Sequence, residues 1–135
     1  EASQVIVVTA DNNKIQGPDD LKDKYVTVQI GTTGDLYVSD FGVKRIGRFN
    51  TAPEALLEVQ NGTADALVVD EAVAKEFVAA NPGSIKIVGV PFTDEAYGMA
   101  VKKGNKQLLS KLNEAIAALK ANGTYDKIYS KYFNK

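Results

Sequence analysis

The sequence contains no cysteine and no histidine, which together remove most zinc sites, every thiol nucleophile and the imidazole general base. Carboxylates, lysines and tyrosines remain available, but the expectation is no metal, no cofactor and no catalytic residue. Without cysteine, redox chemistry is silent about the compartment. Long hydrophobic runs are also missing: no apolar stretch approaches the roughly 18 to 20 residues needed to span a bilayer, so no membrane insertion is expected. The N-terminal stretch "EASQVIVVTADNN" has neither a basic segment nor a cleavage pattern, and the expectation is a soluble chain whose export signal was removed or never existed. An excess of one charge sign is absent as well, with 16 Lys+Arg against 17 Asp+Glu and a net charge of -1. That balance offers no general attraction to nucleic acid or to an anionic membrane and suits a small neutral or zwitterionic partner. No internal repeat or low-complexity segment is present.

What remains is a 135-residue chain, a length that buries roughly two thirds of its unfolded surface around one core. "SQVIVVT" (residues 3–9) reads as a buried strand closed by Asp11-Asn12-Asn13, and "GPDDLKDK" (17–24) as a short helix with Pro18 near its start. "YVTVQI" (25–30) is a second strand that runs into a glycine turn and a helix ending before Gly42, and "VKRIGRF" (43–49) is a third. In "NTAPEALLEVQNG" the spacing of Thr51 and Glu54 predicts a capping box, with Asn61-Gly62 as the stop. "ADALVVD" (64–70) has the continuous apolar character of a strand covered on both faces; a helix (71–83) and the strand "SIKIVGV" follow. Strands alternating with helices predict an open, mostly parallel α/β sheet, whose ligands sit beyond the carboxyl ends of the strands.

The last third differs. "EAYGMAVKKG" (95–104) is expected to be a strand, and "NKQLLSKLNEAIAALKANG" (105–123) a long helix with Leu108, Leu109, Leu112, Ala115, Ile116 and Leu119 on one face. The stripe Tyr125, Ile128, Tyr129, Tyr132 and Phe133 beyond Gly123 reads as core packing rather than base stacking, because stacking would want a strongly basic chain.

Strand, glycine turn and helix start meet at "YVTVQIGTTGDLY", an anion seat. A phosphate loop would end in Gly-Lys-Ser/Thr, whereas Gly31-Thr32-Thr33-Gly34-Asp35 has no lysine and puts an acid in the first helical turn. A carboxylate needs less: a few amide N–H groups, a hydroxyl such as that of Thr33, and a helix dipole contributing roughly 0.3 to 1 kcal/mol. Helix capping by Thr32 or Thr33 explains the segment equally well. Asp70 is open in the same way, either a helix cap or the complement of a ligand ammonium in the same crevice. A carboxylate seat and an ammonium seat together would fit an α-amino acid.

The ordered set "DLKDKYVTVQIGTTGD", "RFNTAPEALLEVQNGTADALVVDEAVAKEFV", "KIVGVPFTDEAYGMAVKKGN" and "LNEAIAALKANGTYDKIYSKYF" resembles the C-terminal portion of polar amino-acid-binding proteins of ABC transporters, the type II periplasmic solute-binding family. The resemblance covers essentially the whole chain. It implies a fold in which two α/β lobes close over a free, polar or charged L-amino acid, with delivery to an ABC permease and a periplasmic or extracellular location, including a cell-surface lipoprotein. Carried over by position, Thr33 and the amides around Gly31, Thr32 and Gly34 resemble the carboxylate contacts, Asp70 the partner of the α-ammonium, and Gln29 a side-chain contact. Residues 1–8 would be the first hinge strand, 9–90 the second lobe, and 91–135 the return crossover and C-terminal helices.

Family members begin with another lobe, which supplies an aromatic wall and an arginine for the carboxylate; that lobe precedes the residues matched here. Weak binding by this chain alone is the resulting expectation. Helices that cover another lobe would expose an apolar face, so either they fold back on a single lobe or two chains pair as a homodimer, through those helices or by exchanging elements. Two further classes share this architecture: sensor domains of receptors and kinases, and dehydratases acting on a cyclohexadienyl carboxylic acid. The enzyme is disfavoured, because no pair of titratable groups stands out for acid–base work.

Overall fold

The computed structural model describes residues 3–133, and Glu1, Ala2, Asn134, Lys135 and the side chain of Phe133 lie outside that description. The chain divides after Ala96 into two compact units.

The first unit is a five-stranded sheet in the order β3-β2-β4-β1-β5, formed by β1 (Gln4–Thr9), β2 (Tyr25–Gln29), β3 (Arg45–Phe49), β4 (Ala66–Asp70) and β5 (Ile85–Val88). β2 runs parallel to β3 and β4, while β1 runs antiparallel to both of its neighbours, β4 and β5. Four of the five strands thus share one direction, in line with the expected mostly parallel sheet, and the reversed strand β1 lies fourth in the order, between β4 and β5, so that two of the four ladders are antiparallel. That reversal brings the start of β1 to the edge where β2 and β4 end, and Gln4 stands opposite Asp70.

Side chains alternate across a strand, and here both sets are buried. Val5 and Val7 of β1 and Leu67 and Val69 of β4 pack with Ala52, Ala55, Leu56 and Val59 of α2 (Ala52–Gln60) and Ala74 of α3 (Glu71–Ala80). Ile6, Val8, Ala66 and Val68 face the other way, against Val26 and Val28 of β2, Val38 of α1 (Thr33–Phe41), Ile15 and Leu21. Continuous β-branched runs follow from this two-sided cover, each fully buried Val or Ile contributing roughly 1.5 to 3 kcal/mol. Thr27 is the polar exception on β2; its hydroxyl donates to the carbonyls of Ala55 and Ala66 at 2.9 and 3.3 Å.

Local signals set the helix ends. Thr51 Oγ1 accepts from the Glu54 amide and Glu54 Oε2 from the Thr51 amide, the capping box predicted for α2. Gly42 closes α1 in the left-handed conformation at φ 78°. The segment expected as a helix over 17–24 is a single 3-10 turn, Pro18–Leu21, because Pro18 helps to start it but only Leu21 is buried, leaving no apolar face to extend.

The second unit holds α4 (Lys106–Ala121) and α5 (Thr124–Phe133), which pack on each other. The strand expected over 95–104 does not form; a one-residue bridge at Glu95 is its whole regular structure. Extended chain becomes a strand only where a neighbour takes its backbone hydrogen bonds, and the second unit itself holds no strand among the described residues. The stripe read as core is also corrected: Tyr125, Ile128 and Tyr132 are exposed, and α4 has no buried residue. Tyr125 and Tyr129 stack at 6.4 Å instead, along one face of α5. No described helix is long and apolar enough to cross a membrane.

Candidate functional site

At the carboxyl edge of the parallel strands lies a cavity of about 80 Å3 lined by Gln4, Gln29, Thr32, Val68, Val69, Asp70 and Val73. Gln29 ends β2, Asp70 ends β4, Gln4 opens β1, and Thr32 and Val73 stand at the beginnings of α1 and α3. A site that encloses a small ligand usually measures several hundred Å3; this one can seat part of a solute, against one wall.

Five elements place these groups. Gly31, at φ 74°, supplies a conformation that L side chains rarely adopt and turns the chain from β2 into α1. Its amide donates to Asp35 Oδ2 at 3.0 Å. Thr32 caps α1: its hydroxyl oxygen accepts from the Asp35 amide at 3.3 Å and donates to the Gln29 carbonyl at 2.8 Å. Helix geometry leaves the first-turn amides of Thr33 and Gly34 without intrahelical partners, and the positive end of α1 lies there. Thr33 itself is exposed and does not line the cavity. Gly34 is buried, and a β-carbon there would stand 2.8 Å from Gln4 Oε1 and 3.1 Å from the Val68 carbonyl. Gln29 is partly buried and donates through Nε2 to the Asn50 carbonyl at 3.2 Å.

Behind the turn, Asp35 binds Arg48 Nε at 2.7 Å and accepts from Ser39. Burial raises the pKa of this carboxyl, but the Gly31 amide, the Arg48 guanidinium by hydrogen bond and charge, and the Ser39 hydroxyl together hold it below its ordinary value. Asp35 thus fixes the glycine turn and is consumed in doing so.

Asp70 occupies the N-cap position of α3 but makes no side-chain capping bond. Its Oδ1 accepts from Gln4 Nε2. Gln4 is fully buried, and its Oε1 has no hydrogen-bond partner. Sequence reasoning passed over Gln4; the one signal available was an amide inside the apolar run "QVIVV". The structure therefore brings Gln29, Thr32 and Asp70 to one cavity, adds Gln4, sets Gly31 and Gly34 behind it as framework, and leaves Thr33 at its outer side. A cavity in the second unit, about 240 Å3 and lined by Tyr97, Gly98, Met99, Ile116, Lys120 and Tyr125, is larger but has no carboxylate to meet an ammonium. No group of acids able to hold a metal exists among the described residues.

Comparisons with known proteins show the family and the fold. The sequence profile of the bacterial extracellular solute-binding proteins, family 3, matches residues 1–135. A probable histidine-binding protein of Neisseria gonorrhoeae is 40% identical over 141 residues, covering 100% of this chain and 52% of the relative. An ancestral arginine-binding protein solved with glutamine superposes with a TM-score of 0.91 at 46% identity, over 100% of this chain and 61% of that one. The structure with arginine gives 0.88 at 46%, over 98% and 61%. The chain spans about half the length of the curated relatives it matches.

Proposed function

The chain belongs to the bacterial extracellular solute-binding proteins, family 3, and from that premise we propose that it is the amino-acid-binding second lobe of an ABC uptake receptor. Asp70 pairs with the α-ammonium of the ligand. The start of α1, with the first-turn amides of Thr33 and Gly34 and the Thr33 hydroxyl, receives the α-carboxylate, while the Gly31 amide and the Thr32 hydroxyl hold the turn in shape, and Gln29 meets the side chain. The observation that carries this reading is that the Asp70 carboxylate and the capped start of α1 open onto one cavity, with opposite polarity at its two ends.

The ligand class is a polar or basic L-amino acid, in line with relatives named for histidine, arginine and glutamine. The full-length protein passes it to an ABC permease outside the cytoplasm, in the periplasm or at the cell surface. The chain has no enzymatic role. Residues 1–8 and the crossover from 91 onward serve as hinge segments in this reading, which is supported by the Phe92 amide donating to the Gln4 carbonyl at 3.1 Å and the Gln4 amide to Thr93 Oγ1 at 2.6 Å. A first lobe closes the open side of the cavity. The apolar faces of α4 and α5 are then surface for that lobe or for a second copy, which size-exclusion chromatography with light scattering separates.

Calorimetry against the twenty amino acids tests the reading, with this chain alone and after addition of a separately produced first lobe. Weak binding alone and recovery in the mixture are expected. Tight binding by the isolated chain would contradict the half-site, and no binding in the mixture would contradict the amino-acid reading.

A further inference from the structure

From the contacts of one buried amide we infer that Gln4 is a positioning residue, which withholds Asp70 from capping α3 and aims its carboxylate into the cavity. The inference rests on the reading of Asp70 as the ammonium partner.

Aspartate is among the best helix N-caps, and a capping bond normally contributes about 1 kcal/mol. Asp70 sits at that position and forgoes the bond. Its Oδ1 is held instead by Gln4 Nε2, across the β1–β4 ladder. An ionised carboxylate only accepts, so this contact fixes which end of the amide faces Asp70. The other end, Oε1, is driven against the first turn of α1, where it lies buried without a partner. A buried acceptor left unpaired is destabilising, so folding alone does not favour glutamine at this position.

Two constraints hold the amide in place. Both backbone polar groups of Gln4 are bonded by residues 92–93, the N–H to Thr93 Oγ1 and the C=O from the Phe92 amide, which pins the start of β1. Glycine at position 34 leaves room for Oε1, since any β-carbon would stand 2.8 Å from it. Gln4 therefore touches the crossover, the start of α1 and Asp70 at once. A shift of residues 92–93 thus reaches the Asp70 carboxylate through this side chain as well as through the β1–β4 ladder.

The test is Gln4→Met in the 135-residue chain, which keeps the volume, removes the unpaired acceptor and removes the donor. Three outcomes are expected. The thermal midpoint stays level or rises, because the unpaired atom is gone and Asp70 is partly exposed to water. A crystal structure of the variant shows Asp70 turned to cap α3. NMR titration shows L-arginine binding weakened about tenfold, while binding of 5-guanidinopentanoate, which lacks the α-amino group, is unchanged. Gln4→Glu, of similar shape but unable to donate when ionised, fails to restore discrimination between the two ligands. A lowered midpoint with Asp70 unmoved, or equal weakening of both ligands, would overturn the inference and leave Gln4 a packing residue. If the isolated wild-type chain binds neither ligand, the titrations are repeated with the first lobe added; no binding there counts against the amino-acid reading, and the Asp70 orientation together with the midpoint then decides the role of Gln4.

Discussion

Arg48 Nε donates to Asp35 Oδ1 at 2.7 Å, tying β3 to the first turn of α1. The same carboxylate takes the Gly31 amide, so one ion pair holds both ends of the turn beside the cavity. Because the folded-state pKa of Asp35 lies below its ordinary 3.8, its contribution to stability is complete above that value and is lost as the pH falls below it, toward the lowered folded value. Urea denaturation measured from pH 7 to pH 2.5 should show a fall in stability below about pH 4. Asp35→Asn should be less stable at pH 7 and show a shallower fall on acidification.

Gly34→Ala places a methyl group 2.8 Å from Gln4 Oε1 and 3.1 Å from a backbone carbonyl of β4. The side chain can retreat and the carbonyl cannot. A loss of about 1 to 3 kcal/mol is expected from such overpacking, read by chemical denaturation, together with weaker amino-acid binding as the Gln4–Asp70 contact is displaced.

Thr51→Ala removes one half of the capping box of α2 while touching nothing at the cavity. It should cost about 1 kcal/mol and leave ligand affinity unchanged when binding is measured by calorimetry with the first lobe added.

Asp70→Asn keeps the shape and an acceptor for Gln4 but removes the negative charge. Amino-acid affinity in the two-lobe mixture should fall by about ten- to a hundredfold, the scale of a lost charge-assisted hydrogen bond, and the thermal midpoint should change little. Calorimetry and a thermal melt on the same sample check both.

The sequence by itself determined the elements whose signals are local. The period of the β-branched runs, the Thr51–Glu54 box, Gly42 and Gly62 as stops, and the Gly31 turn all act within a few residues, and β1 to β5 and α1 to α5 follow from them. It also marked the Gly31 to Gly34 turn and Asp70 as features of one sheet edge, because a parallel sheet delivers strand ends to the same side, with Thr33 as the expected hydroxyl and Gln29 added only by the family resemblance. Tertiary structure decided the rest. Gln4 joins Asp70, 66 residues away, because β1 enters the sheet reversed, and nothing in the run "QVIVV" records that direction. Thr32 rather than Thr33 lines the cavity, because Thr32 is held in the turn by its bonds to the Gln29 carbonyl and the Asp35 amide while Thr33 faces solvent. The segment 95–104 has strand-like residues and no strand, and the aromatic stripe of α5 has core-like residues and an exposed face. In each case the chain encodes a propensity, while ladder formation and burial depend on a partner surface that local sequence does not specify.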